Sequence, residues 1–264
     1  MKVEVRKAGP IEAEHGSICL RCNKCLEAAN MARRCRADWL RLRMARGLDL
    51  FIAYAKDHPV GFIEGEPMDM AGWITSELHW LRCLYVDPEF RGRGVGEQLL
   101  AAMEVDAAHH SRGLCAPTKV GLLDLSRLLT KHHYRAYELA GQKLYGKLFR
   151  GSSITIQPRP TQPTQNRPES DPRTVLVEHY WSASCAREAY DSFVLQNICA
   201  GFGSRVRLHS VCLDEPKMVE KFGQAPGYMF IDGVERSDLY MNGPGDPEMV
   251  KQAIWRAIRL KHLA

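Results

Sequence analysis

Glycines at 92, 94 and 96, interleaved with Arg91 and Arg93, form the stretch of this sequence best suited to chemistry. They follow an apolar run from Trp80 to Val86 and an Asp87-Pro88 turn, and they open a helical pattern. Glycine lets backbone approach an anion without a Cβ in the way. A helix N-terminus adds unpaired N–H groups and a favourable dipole, and the two arginines add charge. Together these residues make a cradle for a pyrophosphate. A Walker loop would end in Gly-Lys-Ser/Thr, whereas Gly96 is followed by Glu97. A Rossmann fingerprint needs the first strand of a βαβ unit, whereas the elements before this loop read as antiparallel.

Cysteines supply a second chemistry. In the stretch from Val177 to Cys185 a strand delivers Cys185 to the start of a helix, where the dipole favours a thiolate. Glu188 stands where a Cys-x-x-Cys pair would have its second thiol. Counting from Ser182 instead leaves only the later cysteine, so neither register offers a dithiol. Cys19, Cys22 and Cys25 repeat at intervals of three, with Cys35 and His15 nearby. Thiolates at that spacing can hold zinc. There is no second Cys-x-x-Cys, and on a helix the three would share one broad face and pack as small apolar groups. The second reading is preferred, and no metal site is assigned.

The elements that position these groups are legible as hydrophobic periods. Residues 1–7 alternate as a half-buried strand does, and 26–46 read as a helix with Met31, Cys35, Trp39 and Leu42 on one face, closed by Gly47. Residues 48–55 and 60–64 flank a turn at 56–59 and predict a hairpin. Residues 80–86 form an apolar strand, and 96–110 a helix with Leu99, Leu100, Met103 and Ala107 inward. Pro117 makes 114–118 a poor strand. Residues 151–173 carry Pro158, Pro160, Pro163, Pro168 and Pro172 among polar residues and read as an extended interdomain spacer. Beyond it the order reads β-α-β-α-β-β-α. Strands are expected at 175–181 and 205–213 and helices at 186–200 and, capped by Asp214, 214–222. A hairpin at 228–231 and 234–241 turns on Asp232-Gly233, and a last helix starts at Pro247.

The 264 residues are 45% apolar and 25% charged, so pervasive disorder is excluded and two domains are expected. No long apolar run predicts a membrane span, and no h-region marks a secretory signal. Nine cysteines, odd in number and mostly isolated, fit a reducing cytoplasm better than a disulfide framework. The formal charge is +5, much of it from Arg33, Arg34, Arg36, Arg41, Arg43 and Arg46. Without interleaved aromatics, this run reads as a solvated helix face rather than a nucleic-acid site.

Residues 86–96 resemble the coenzyme A loop of the GNAT acetyltransferase superfamily, with Arg91, Gly94 and Gly96 in the three defining places of Arg/Gln-x-x-Gly-x-Gly/Ala. The similarity runs over residues 1–150. The layout resembles the YoaP-like group, which adds a small thioredoxin- or glutaredoxin-like domain, here 174–264. The implied fold is α/β of the α+β kind: a mixed-sheet acyl-CoA N-acyltransferase domain, a linker at 151–173, and the thioredoxin-like domain. The resemblance implies acetyl-CoA as acyl donor, its pyrophosphate on the backbone of Arg91, Gly92, Arg93, Gly94, Val95 and Gly96. Its pantetheine would lie along Leu84, Tyr85 and Val86 like an added strand. A substrate amine would attack the thioester directly, with a backbone N–H near Leu84 stabilising the oxyanion. Relatives place a carboxylate near the start of the fourth strand as base, so Glu77 and His79 are candidates, and Glu64 ends the preceding hairpin strand. For the acid that protonates the thiolate, Tyr134 and Tyr137 are candidates. In the second domain, the segment around Pro226 resembles the one in which a proline faces the active cysteine, here Cys185.

The expected function is therefore acetyl transfer to a small-molecule amine, or a protein amine, in a cytoplasmic protein compatible with a homodimer. The rival readings are a thiol protein acting through Cys185 and a metal-binding module using Cys19, Cys22 and Cys25.

Overall fold

Two consecutive, largely apolar runs, buried along most of their length, build the centre of the first sheet. In a computed structural model of the chain, β1 (Val3–Lys7) pairs antiparallel with β2 (Asp49–Ala55), and a tight turn at Lys56 and Asp57 returns the chain as β3 (His58–Pro67). Between β1 and β2 runs α1 (Leu26–Met44). β4 (Leu78–Val86) pairs antiparallel with β3, α2 (Val95–His110) follows, and β5 (Gly113–Pro117) lies parallel to β4. After the short α3 (Ser126–Lys131), β6 (Arg135–Leu139) and β7 (Gln142–Leu148) form a hairpin whose second strand pairs with β5. The seven strands stand in the order β1-β2-β3-β4-β5-β7-β6. The structure describes all residues except 1, 21–25, 72, 76, 121–122, 140–141, 152–155, 159–167, 170, 216, 219–226, 237, 242–245 and 263–264.

α2 lies on this sheet because its apolar residues recur at helical spacing. Leu99, Leu100, Met103 and Ala107 are fully buried against Phe51, Ile63, Leu81 and Leu84. Removing a side chain of that size from water contributes about 1.5–3 kcal/mol.

The second sheet runs β9-β8-β10-β11. β8 (Val175–Trp181) leads through α4 (Ala186–Ala200) to a parallel β9 (Val206–Cys212), the β-α-β unit. β10 (Tyr228–Ile231) joins β8 antiparallel and turns at Asp232 and Gly233 into β11 (Val234–Glu235). The last helix, α5 (Pro247–His262), buries Val250, Ile254 and Ile258, one per turn, in a core with Val177, Leu195 and Met229. This mixed α/β architecture has the expected fold class. No helix among the described residues is long and apolar enough to cross a membrane.

By contacts the chain forms two units, Met1–Cys19 with Leu40–Pro160, and Leu20–Trp39 with Thr161–Ala264. Most of α1 thus groups with the second unit rather than with residues 1–150, a division that sequence continuity does not reveal. Its inward face matches the expected one only in part. Trp39 is buried and Cys35 half-buried as expected, but Met31 and Leu42 are exposed, and Ala28, Ala29, Ala32, Arg36, Ala37 and Leu40 are covered instead, because a stripe of small residues packs closely. Residues 113–117 do form a strand, with Pro117 at its end. Gln157–Pro158 in the expected spacer bridges Trp73–Ile74. The strand expected at 234–241 stops at Glu235, and Asp238–Met241 is helical. Most of the helix expected at 214–222 lies outside the described residues.

Candidate active site

Three features of β4 and the turn after it define the site. First, β4 pairs with β3 from His79 to Val86, but with β5 only at Leu78, His79 and Trp80. Residues 81–86 therefore present a backbone edge that β5 leaves open, and an extended ligand can pair with such an edge. Second, the β3–β4 register slips between Glu64 and Gly65. Glu64 faces Cys83 and Gly65 faces Leu81, so Arg82 is an extra, bulged residue. Bulges re-aim backbone groups and are common beside active sites. Third, the chain after β4 makes a one-turn helix, Pro88–Phe90, and then the glycine loop.

That loop is held from its ends. Asp87 Oδ1 accepts from the Glu89 N–H at 3.2 Å, and Arg91 Nε donates to the Val86 carbonyl at 2.9 Å. Gly92 and Gly94 adopt left-handed backbone, with φ of 72° and 78°, and a Cβ at either would meet nothing within 4 Å. The glycines are thus required for conformation, and the space beside them is open. Gly94 is the N-cap of α2, whose first internal bond runs from the Gln98 N–H to the Gly94 carbonyl at 3.0 Å. The N–H groups of Val95, Gly96 and Glu97 precede that bond and lack intrahelical acceptors. With exposed Arg91 and Arg93 beside them, they can take an anion.

Of the residues expected to carry the chemistry, Leu84, Tyr85, Val86, Arg91, Gly92, Arg93, Gly94, Val95 and Gly96 form one continuous strand-loop-helix path. Glu77, His79 and Tyr134 lie elsewhere. Glu77 precedes β4, half-exposed, and pairs with Arg112 at 2.9 Å. At about 3.3 Å per residue it stands roughly 23 Å along the strand from Leu84. His79 is buried beside the C-terminal end of α2, next to Asp49. Tyr134 belongs to the core under α2. Burial first, and the Glu104 carboxylate second, raise its hydroxyl far above the usual range. Tyr137 is exposed on β6.

The structure instead gathers a buried charged group at the bulge. Glu66 has no exposed side-chain surface. Its Oε2 accepts from Arg43 Nη2 at 2.7 Å and its Oε1 from Arg82 Nη1 at 2.5 Å. Burial would lower the Arg82 guanidinium, but Glu66 and Glu64 together hold it above its ordinary value. Glu64, also buried, lies on the same face of β3, two residues away. The signal for this group is present in the sequence: two carboxylates at period two, directly after the apolar run Val60–Ile63.

In the second unit, Cys185 is the half-buried N-cap of α4. Asp214 braces the loop before it, accepting at Oδ1 from Ser182 Oγ at 2.6 Å and the Ala183 N–H at 3.0 Å. Glu188 accepts from the Ser182 N–H at 3.0 Å. Cys212 donates to Asp214 Oδ2 at 3.0 Å, and burial together with that carboxylate pushes its thiol up to about 12. Pro226, Cys22 and Cys25 lie outside the described residues. Cys19 is half-buried, and burial, Asp38 and Asp214 raise the Cys35 thiol.

Buried His179 in β8 has its pKa lowered to about 3 by desolvation, so the fold holds it neutral. The stability this gives is present above the ordinary histidine value of about 6.5 and is lost as pH falls toward 3. Replacing His179 by Gln is expected to shrink the stability difference between pH 7 and pH 5 by about 2 kcal/mol, read from urea denaturation at both pH values. An unchanged difference would mean that another group carries the acid sensitivity.

Residues 46–148, all within the first unit, match the model of the acetyltransferase (GNAT) domain. Solved structures similar to the chain include a putative GNAT-family acetyltransferase from Desulfovibrio desulfuricans. It is 20% identical, with a TM-score of 0.42 over 56% of this chain and 99% of that one. Another is the PaiA N-acetyltransferase of Thermoplasma acidophilum in complex with coenzyme A, at 17% identity and a TM-score of 0.41 over 56% of this chain and all of that one. No curated relative matches the chain.

Proposed function

We propose that the first unit transfers an acetyl group from acetyl-CoA to the amine of a small molecule. The observation that carries this reading is the open edge of β4 running directly into the left-handed glycine loop and the start of α2. That path offers an extended slot ending in an anion cradle, the shape of a pantetheine arm attached to a pyrophosphate. The N–H groups of 95–97 and the glycine backbone hold the phosphates. The pantetheine lies along 84–86, and a backbone N–H freed near the bulge faces the thioester oxygen. The amine attacks the carbonyl carbon and the thiolate leaves.

Glu64 is the base in this reading. It faces Cys83 at the bulge, whereas the Glu66 carboxylate is engaged by Arg43 and Arg82, and Glu77 and His79 are at the far end of the strand. The second unit reads as thioredoxin-like, supported by its β9-β8-β10-β11 order with a parallel β8–β9 pair and by Cys185 at the N-cap of α4.

Labelled acetyl-CoA and a panel of small amines test the reaction on the full chain. Glu64→Gln is expected to lower kcat by about 100-fold or more, with little change in acetyl-CoA affinity. Absence of acetyl-CoA binding by the unaltered chain would end the acetyltransferase reading, whereas full activity in Glu64→Gln would remove only the base assignment.

A further inference from the structure

Asp49, His79 and His110 come together at the end of α2 remote from the glycine loop. Asp49 opens β2, His79 is the second residue of β4, and His110 is the last residue of α2. One ligating atom from each lies within 4.8 Å of the others. Asp49 Oδ2 is 3.1 Å from His79 Nε2 and 3.4 Å from His110 Nε2. Tetrahedral zinc, with bonds near 2.0–2.1 Å, separates its ligand atoms by about 3.3 Å. We propose that these three side chains bind a divalent transition-metal cation of the zinc class, which clips the C-terminal end of α2 to β2 and β4.

Independent features prepare the site for a cation. His79 Nε2 is buried and makes no well-aligned hydrogen bond, although it points at the Asp49 carboxylate. Gly65 makes room for the ring, since a Cβ there would meet His79 Cδ2 at 2.9 Å. Lys7 Nζ holds the other Asp49 oxygen at 2.7 Å, leaving Oδ2 directed at the imidazoles, and ligand orientation of this kind strengthens metal sites. The Lys7 charge is itself matched by Asp106 at 2.8 Å. The carbonyl end of α2 carries the negative pole of the helix dipole, which favours a cation. His110 is 43% exposed and leaves an entry path and a fourth position for water. Two imidazoles with one carboxylate suit zinc, and no cysteine contributes.

The test uses reduced, chelator-treated full-length chain titrated with zinc, comparing the unaltered protein with His110→Ala. The exposed position of His110 lets the variant fold, which circular dichroism verifies, and His110→Gln repeats the comparison. The expected result is one equivalent of zinc fewer in both variants, together with loss of the zinc-dependent rise in Tm. Cobalt substitution separates this site from cysteine sites, because the lost equivalent should lack a sulfur-to-cobalt charge-transfer band. Equal zinc stoichiometry and equal Tm shifts in all three proteins, or a thiolate band on the lost equivalent, would overturn the assignment. Acetyl-CoA binding is measured alongside. His110 closes the opposite end of a 16-residue helix from Gly94, so the zinc result stands whatever that affinity proves to be.

Discussion

Gly94→Val is expected to weaken acetyl-CoA binding by at least about 100-fold while leaving the chain folded. Gly94 has φ 78°, and a β-branched residue there costs about 1–2 kcal/mol of local strain. No protein atom lies within 4 Å of the added Cβ, so the substitution meets no obstruction in the fold itself. In the proposed complex that open space holds the pyrophosphate, which the side chain displaces from the N–H groups of the α2 start. A 100-fold loss corresponds to about 2.8 kcal/mol, the scale of one or two charge-assisted hydrogen bonds. Calorimetric titration with acetyl-CoA gives the affinity and urea denaturation gives the stability. Unchanged affinity would show that the donor's phosphates sit elsewhere. A loss of affinity matched by global unfolding would show that Gly94 serves the fold alone.

Glu66→Ala should produce the largest loss of stability. Its carboxylate is fully buried and engages two arginines that are themselves mostly buried, so its removal takes away the anion that Arg43 and Arg82 share. Breaking a buried ion pair from one side costs about 3–5 kcal/mol. The exposed pair between Glu77 and Arg112 is the internal contrast. Water screens both partners, so Glu77→Ala should cost about 0–1 kcal/mol. Urea denaturation of both variants checks the difference, and equal losses would mean that burial does not set the value of these pairs. The consequence reaches function as well. Arg82 is the bulged residue of β4, so Glu66 and Arg43 anchor the irregularity that re-aims the strand beside the open edge. A Glu66→Ala chain that still folds in the cold should therefore lose turnover.

The strand, glycine turn and helix start at 80–98 are readable in the sequence because they are local. Glycine spacing, flanking strand and following helix are all within about twenty residues, and each acts through its own backbone. The inward face of α2 was equally plain, since four apolar residues at helical spacing leave one solution. The inward face of α1 is legible only in part: Trp39 is buried as the period predicts, whereas Met31 and Leu42 are not. Met31 and Leu42 are apolar, but the stripe of alanines with Arg36 packs more closely, and only neighbours distant in sequence decide which stripe is covered. The strand containing Pro117 was discounted because a proline interrupts a ladder, yet it stands at the strand's last residue, where little pairing is lost.

Amino-acid order alone established two α/β regions, a glycine-and-arginine turn opening a helix and a cysteine at a helix start, because these depend on periodicity and on conformational preferences of neighbouring residues. Tertiary structure alone decided that β4 parts from β5 after Trp80, that Arg82 bulges against Glu66, and that Asp49, His79 and His110 converge. Those arrangements join residues up to about sixty positions apart, and their geometry is set by strand register and helix packing, which no short stretch of sequence encodes.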